Sequence, residues 1–244
     1  MILVDSSVLI DHFRGTSNPQ TEQFGRWLSG LDGPPDIGVA DLVVFEVVRG
    51  FATAKAQAQA RELVLALDLR NIVLVGHDDG VHLGLAVAQA EPARFCGAWL
   101  MNSWPAGLAP DACMQWFAQA ARKPSWPVGR AMREVGEEAG AQPQAWNLPF
   151  SQPGHRAALQ AWPRVRAEMP ALPMALLAQW SQQQRLWVQG GEHDALMPAH
   201  VWRHAWLQAL PQLPPAQLRL SPCGHWVPLC AAGMVADAVE YFRP

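Results

Sequence analysis

Four apolar residues, Ile72–Val75, run straight into Gly76-His77-Asp78-Asp79-Gly80, and a helical pattern follows from Val81 to Ala90. A buried strand that becomes a helix within five residues leaves the backbone few routes. The apex of such a turn is crowded, so small residues are needed on both sides of it. By register Asp78 sits at the apex, at the N-terminus of the helix. The free N–H groups and the dipole there favour an anion. A carboxylate in that place is ionised at neutral pH and attacks without a base, as a serine hydroxyl does not. An aspartate before a helix is also a common N-cap, so the turn alone leaves both uses open.

The rest of the chain sets this turn in a larger alternation. Phe95–Trp104, Arg185–Gly191 and Gln217–His225 read as strands, and His200–Leu210 and Ala231–Phe242 as helices. Pro105 to about Gln184 is rich in proline and tryptophan and mostly helical in character. Upstream, Met1–Asp5 reads as a strand, and Ser6 caps a helix to about Arg14. A second helix is expected over Thr21–Leu28, then a loop, Gly30–Asp36. A short strand and an Asp41-capped helix carrying Glu46 come next, and then an Ala-rich helix, Thr53–Asp68. Strand–helix alternation of this kind predicts an α/β fold, a mostly parallel sheet with flanking helices.

At 244 residues the chain is long enough for one large α/β domain or two small ones. A charged fraction of 16% and a net charge of −3 argue against a general polyanion-binding surface. Cys96, Cys113, Cys223 and Cys230 lack metal-ligand spacing and are expected to be reduced, mostly buried thiols. The opening MILVDSSVLIDHFRG lacks a basic run and is interrupted by Asp5, unlike a secretory leader, and no apolar run is long enough for a bilayer. The expectation is a cytoplasmic protein with no membrane partner. Twelve tryptophans stand against one tyrosine, and they are expected to serve as core or cavity wall.

Two further residues change the weight of Asp78. Asp194 lies in GGEHDALMP, just past a predicted strand, and His225 in CGHWVP, just past the last one. Aspartate, aspartate, histidine, each at the C-terminal end of a parallel strand, is the chain order of an α/β-hydrolase triad. Ligands of open α/β sheets sit outside those strand ends. The segments NIVLVGHDDG, EPARFCGAWLMNSWP, LPFSQPGHRAALQAWPRV, LWVQGGEHDALMP and SPCGHWVPL resemble, in the same order, those of haloalkane dehalogenases. The resemblance covers residues 69–244. It implies an α/β-hydrolase core without its usual N-terminal strands, carrying a helical cap over about 105–184. It implies catalysis by Asp78, Asp194 and His225 on a small apolar or halogenated substrate, with no cofactor. Asp78 displaces the halide and becomes an alkyl ester, and His225, oriented by Asp194, activates the water that hydrolyses it.

One position departs from that pattern. Dehalogenases typically carry a tryptophan after the nucleophile, to hold the departing halide, and this chain has Asp79. An anion there opposes an anionic leaving group and raises the pKa of one carboxylate of the pair. Trp104, Trp116 and Trp126 are the alternative halide donors, and the Asp79 N–H is a candidate oxyanion donor. Epoxide hydrolases share the aspartate elbow but protonate the substrate with cap tyrosines. The sole tyrosine, Tyr241, falls in the last helix, which argues against that subclass. His77 and His193 are read as local structural residues. His200 and His204 share a helix face, but they lack the glutamate context of a zinc site and are read as a surface pair.

Residues 1–68 do not look like the start of a hydrolase. They contain no His-Gly pair, where a hydrolase loop supplies its second oxyanion donor. MILVDSSVLIDHFRG and IGVADLVVFEVVRGFATAKAQAQARELVLAL instead resemble the first half of a PIN-domain ribonuclease of the VapC-like toxin type. That resemblance implies Asp5 and Glu46 as ligands of Mg²⁺ or Mn²⁺, with RNA as substrate and a cognate antitoxin as partner. The later acidic segments of that family are not found after Asp68, and cations for RNA are few. The chain thus reads as a junction near Leu67–Leu69 between half a nuclease and most of a hydrolase, as a recombined gene, a frameshifted assembly or a deliberate chimera would give, either active as one of the two or catalytically inert. Unpaired sheet edge in such a hybrid favours homo-oligomers.

Overall fold

The computed structural model describes residues 2–3, 17–28, 37–38, 54–105, 111–122, 127–136, 171–230 and 234–243, with 147, 160–161, 163–164 and 169. The expected helices at Ser6–Arg14 and around Glu46 lie outside these residues. The chain divides into two compact units, Met1–Ile72 with Ala86–Phe95, and Val73–Leu85 with Cys96–Pro244.

In the first unit β1 (Ile2–Leu3) pairs in parallel with β2 (Ile37–Gly38), Ile2 opposite Ile37. Helix α1 (Pro19–Leu28) starts with a reciprocal cap. Asn18 Oδ1 accepts the Thr21 N–H at 2.9 Å, and Thr21 Oγ1 accepts the Asn18 N–H at 3.0 Å. Pro19, with no N–H to satisfy, takes the first helical position, and Phe24 is buried on the inner face. Helix α2 (Ala54–Ala66) buries Leu63. It ends where Asp68 turns to a left-handed φ of 45°. There Asp68 accepts an ion pair from Arg94 at 2.8 Å, and Arg61 pairs with Glu91 at 2.6 Å.

A second sheet has the order β3 (Ile72–His77), β4 (Phe95–Met101), β5 (Leu186–Gly191), β6 (Leu218–Ser221). β4 and β5 pair in parallel with Ala98 opposite Leu186, and β5 and β6 with Val188 opposite Leu218. Among the described residues β3 and β1 belong to different sheets. Between β3 and β4 lies α3 (Asp79–Ala90). Between β4 and β5 lie α4 (Asp111–Arg122), α5 (Val128–Glu134) and α6 (Met174–Gln182). α7 (Ala199–Ala209) joins β5 to β6, and α8 (Val227–Cys230) and α9 (Met234–Phe242) follow.

Side-chain alternation along the strands divides the core into two layers. On one face Val75, Trp99, Met101, Trp187 and Cys223 pack against Met234, Ala238, Tyr241 and Phe242 of α9. A buried glutamine crosses this layer with its amide satisfied. Gln189 Oε1 accepts the Trp99 indole N–H at 2.8 Å, and its Nε2 donates to Ser221 Oγ at 2.6 Å. On the other face Ala98, Leu100, Leu186 and Val188 are fully buried. Gly190 there lies against the Trp202 ring of α7. Trp180, Trp187, Trp202 and Trp206 are among the largest fully buried side chains, the use that the tryptophan count suggests. The indoles of Trp202 and Trp206 both donate to the Ser103 carbonyl, at 2.9 and 3.1 Å, and tie α7 to the exit of β4.

Several element ends differ from the sequence expectation, each for a local reason. β4 stops at Met101 rather than Trp104 because Asn102 adopts φ 43°. β6 stops at Ser221 rather than His225. Beyond Ser221 the chain leaves the sheet, and the Cys223 carbonyl accepts the His193 N–H at 2.9 Å. α3 starts at Asp79, two residues early, with the Val81 N–H on the Asp78 carbonyl. No helix among the described residues is long and apolar enough to cross a membrane. None of the four cysteines is in a disulfide, and two of them, Cys113 and Cys223, are buried.

Candidate active site

The site is assembled at the C-terminal ends of β3, β4, β5 and β6. Asp78 occupies the turn between β3 and α3 with φ 49°, a conformation that costs a residue with a Cβ about 1–3 kcal/mol. The turn is held by the Asp78 N–H, which donates to the Met101 carbonyl at 2.9 Å. Gly76 makes it possible, since a Cβ there comes within 3.0 Å of Val81 Cγ2. Asp79 opens α3, which leaves its N–H at the helix N-terminus, outside the ladder.

His225 follows β6 and is 2% exposed. Its Nδ1 is 2.9 Å from Asp194 Oδ2, and its Nε2 is 3.8 Å from Asp78 Oδ2. The first distance is a hydrogen bond. The second is an electrostatic contact, longer than a hydrogen bond. Asp194 is a completely partnered carboxylate. Oδ1 accepts the backbone N–H groups of Leu196 and Met197 at 2.8 and 3.0 Å, and Oδ2 accepts Asn102 Nδ2 at 2.8 Å beside His225. Two loops must run backbone to backbone to make this meeting. A Cβ on Gly191, the last residue of β5, overlaps the carbonyl oxygens of Cys223 and Gly224. Only glycine allows the acid loop to lie so close to the histidine loop.

The structure thus brings Asp78, Asp194 and His225 together, with Asp79 next in the chain. Trp104 is half-buried just beyond β4, and Trp116 is half-buried in α4. Trp126, and the proposed metal ligands Asp5 and Glu46, lie outside the described residues. Among the described residues no three His, Cys, Asp or Glu side chains converge as a metal site. Sequence reasoning missed Asn102. Its one signal is a polar side chain directly after an apolar strand, at a strand end that faces the site.

Comparison with known proteins places this geometry. The PIN-domain family model matches residues 2–91, a span that runs through β3 and α3. A search of curated proteins found no match. Among solved structures the chain is similar to the tetrameric haloalkane dehalogenase DpaA from Paraglaciecola agarilytica NO2, at 20% identity and a TM-score of 0.59. That match covers 76% of this chain and 65% of the dehalogenase, so this chain spans less than two thirds of that protein. It is also similar to 2-hydroxy-6-oxo-6-phenylhexa-2,4-dienoate hydrolase (BphD) from Rhodococcus sp. strain RHA1, at 18% identity and a TM-score of 0.57, covering 78% and 72% of the two chains. A thermophilic esterase from Thermogutta terrifontis matches at 21% identity and a TM-score of 0.52, covering 80% and 71%. The fold is that of an α/β-hydrolase. A PIN-domain sequence stands at its N-terminal end.

In this α/β-hydrolase sheet the two buried histidines of the site are tuned in opposite directions. Burial would lower the pKa of His225, but the hydrogen-bonded Asp194 carboxylate and then Asp78 outweigh it and push it up to about 10. Burial, helped by the charge of nearby His225, lowers the pKa of His77 to about 4, against the pull of Asp78. Both effects bear on stability. From pH 6.5 down to about 4 the unfolded chain binds a proton at His77 that the folded chain does not, so stability falls with pH. From 6.5 up to about 10 the folded chain keeps a proton at His225 that the unfolded chain has lost, so stability falls as pH rises. Each limb has a slope of up to about 1.4 kcal/mol per pH unit. Chemical denaturation across pH 4–10 is expected to peak near 6.5, with the alkaline limb flattened in His225→Gln. A flat plateau from pH 5 to 9 contradicts this assignment.

Proposed function

We propose that the protein is a hydrolase that uses Asp78 as nucleophile and works through a covalent alkyl–enzyme ester, most like a haloalkane dehalogenase. The observation that carries this reading is a carboxylate, rather than a hydroxyl, at the strained apex, with a buried imidazole–carboxylate pair 3.8 Å behind it. In the first step a carboxylate oxygen of Asp78 displaces halide from an sp³ carbon, forming a C–O bond as the C–halogen bond breaks. No proton moves. Esterification neutralises Asp78 and removes one of the two anions that hold the proton on His225. The imidazole then releases that proton and becomes a base. It takes a proton from water as the water oxygen attacks the ester carbonyl. Collapse of the tetrahedral oxyanion, with the Asp79 N–H as one donor, frees the alcohol and restores Asp78. The sum is one alcohol, one halide and one proton per turnover.

The helices between β4 and β5 act as the cap in this reading, and the substrate is a small apolar halide. Trp104 and Trp126 are the halide donors, in place of the residue that Asp79 replaces. The reaction as written uses only groups of the chain itself and water. Tyr241 takes no part, since its hydroxyl donates to the Leu186 carbonyl at the far end of β5, and epoxide opening is therefore not the reaction proposed.

A second reading is favoured by the match of the PIN-domain family model to residues 2–91. It is a ribonuclease using Asp5 and Glu46 with Mg²⁺ or Mn²⁺, held in check by an antitoxin. One assay set separates the two. With 1-bromobutane the protein is expected to release bromide and acid in equal amounts, with no added metal. Absence of bromide, with Mn²⁺-stimulated RNA cleavage lost in Asp5→Asn, supports the nuclease instead. Neither signal leaves an inert hybrid.

A further inference from the structure

His225 is held at more than its ring. Its peptide N–H donates to the Val135 carbonyl, just past α5, at 3.0 Å. Its peptide carbonyl lies 2.8 Å from Nε2 of His77. A carbonyl only accepts, so the proton must sit on Nε2 of His77. The next residue adds a third tie, from the Trp226 indole N–H to the Met132 carbonyl at 2.8 Å. His77 is 7% exposed. Its ring stands 5.1 Å from that of His225 and 5.8 Å from that of Trp226. The charged groups that bear on it are Asp78, Asp194 and His225.

Resting on the hydrolase reading, we propose that His77 is a positioning residue. By holding the peptide carbonyl of His225 against the pull of Val135 on its N–H, it fixes the imidazole between Asp78 and Asp194. One dipeptide at the end of β3 then supplies both the nucleophile and the anchor of the base. The consequence is asymmetric between the two half-reactions. Alkylation of Asp78 needs no base, whereas hydrolysis of the ester needs the imidazole aligned with its water. A displacement near 1 Å at such a group costs about 10²-fold. Loss of the anchor therefore slows the second step and spares the first. A residue that served the fold alone would affect both together.

The test compares His77→Leu, which removes the donor, with His77→Gln, whose side-chain amide can still reach the carbonyl. With 1-bromobutane, His77→Leu is expected to release bromide in a burst at the parent rate. It then stalls as alkyl-enzyme, visible by intact mass, with hydrolysis about 10²-fold slower. His77→Gln is expected to recover most of that loss. A His77→Leu protein that turns over at the parent rate, one that loses both steps equally, or a Gln variant as slow as Leu overturns the proposal. Proton NMR of the unreacted proteins gives a readout independent of activity. The His225 Nδ1–H, bonded to Asp194, is expected far downfield and slow to exchange in the parent and in His77→Gln, and lost in His77→Leu. If the parent and His225→Gln both fail to form an adduct, the hydrolase reading falls, while this signal still decides whether His77 holds His225. If His77→Leu does not fold, the tautomer in the parent protein decides. A proton found on Nδ1 of His77 overturns the proposal, and one on Nε2 throughout pH 5–9 supports it.

Discussion

Asp78→Asn is expected to lower kcat/KM for a short bromoalkane by roughly 10⁴–10⁶-fold, with the fold retained. The size of the effect follows from the chemistry. An amide oxygen carries no charge to donate to an sp³ carbon. The fold should survive because asparagine tolerates a left-handed backbone at least as well as aspartate does, and Asp78 sits at φ 49°. Asparagine also keeps the shape of the side chain and the backbone bond from residue 78 to the Met101 carbonyl. The measurement is steady-state bromide release beside a thermal melt of the same sample. Activity within tenfold of the parent assigns the attack to another group. Asp79 is the first to examine, because it stands next in the chain.

Much of the candidate site's geometry is legible in the sequence. The elbow was legible because its demands are local: an apolar run, small residues about the apex, and a helix that begins at once. Asp194 and His225 were legible because parallel strands place their C-terminal ends at one edge, so three distant residues are forced into one row. What was hidden is what depends on two segments meeting. The need for Gly191 arises from the carbonyls of Cys223 and Gly224, which no pattern around residue 191 reveals. Asn102 looks like an ordinary loop residue until its amide is seen on Asp194. His77 reads as a structural neighbour of the elbow, and its tie to the His225 carbonyl spans 148 positions. Strand ends were misplaced by a few residues for the same reason. Asn102 leaves β4 by a left-handed backbone turn, and Cys223 leaves β6 to bond the acid loop.

The N-terminal segment divides differently. Its helices α1 and α2 begin and end within two residues of the expected Thr21–Leu28 and Thr53–Asp68. Pairing was not legible: β1 takes β2 as its neighbour in a separate sheet, since two-residue apolar runs carry no register information. The PIN-domain match continues to residue 91, past the junction expected near Leu67–Leu69. The strand and helix around the elbow therefore fall within both resemblances.

His225→Gln is expected to have the other large effect, and it leads to the most direct test of the covalent mechanism. Glutamine cannot take a proton from water, so hydrolysis should fall by several orders of magnitude. The attack by Asp78 needs no base and should continue. It has lost the imidazolium partner now 3.8 Å from its carboxylate, which leaves it a less encumbered anion. The variant incubated with 1-bromobutane, digested and sequenced by mass spectrometry, is predicted to carry one butyl group per chain, on Asp78, with one bromide released for each. An unmodified chain that still releases butanol, or a butyl group on any other residue, contradicts the account.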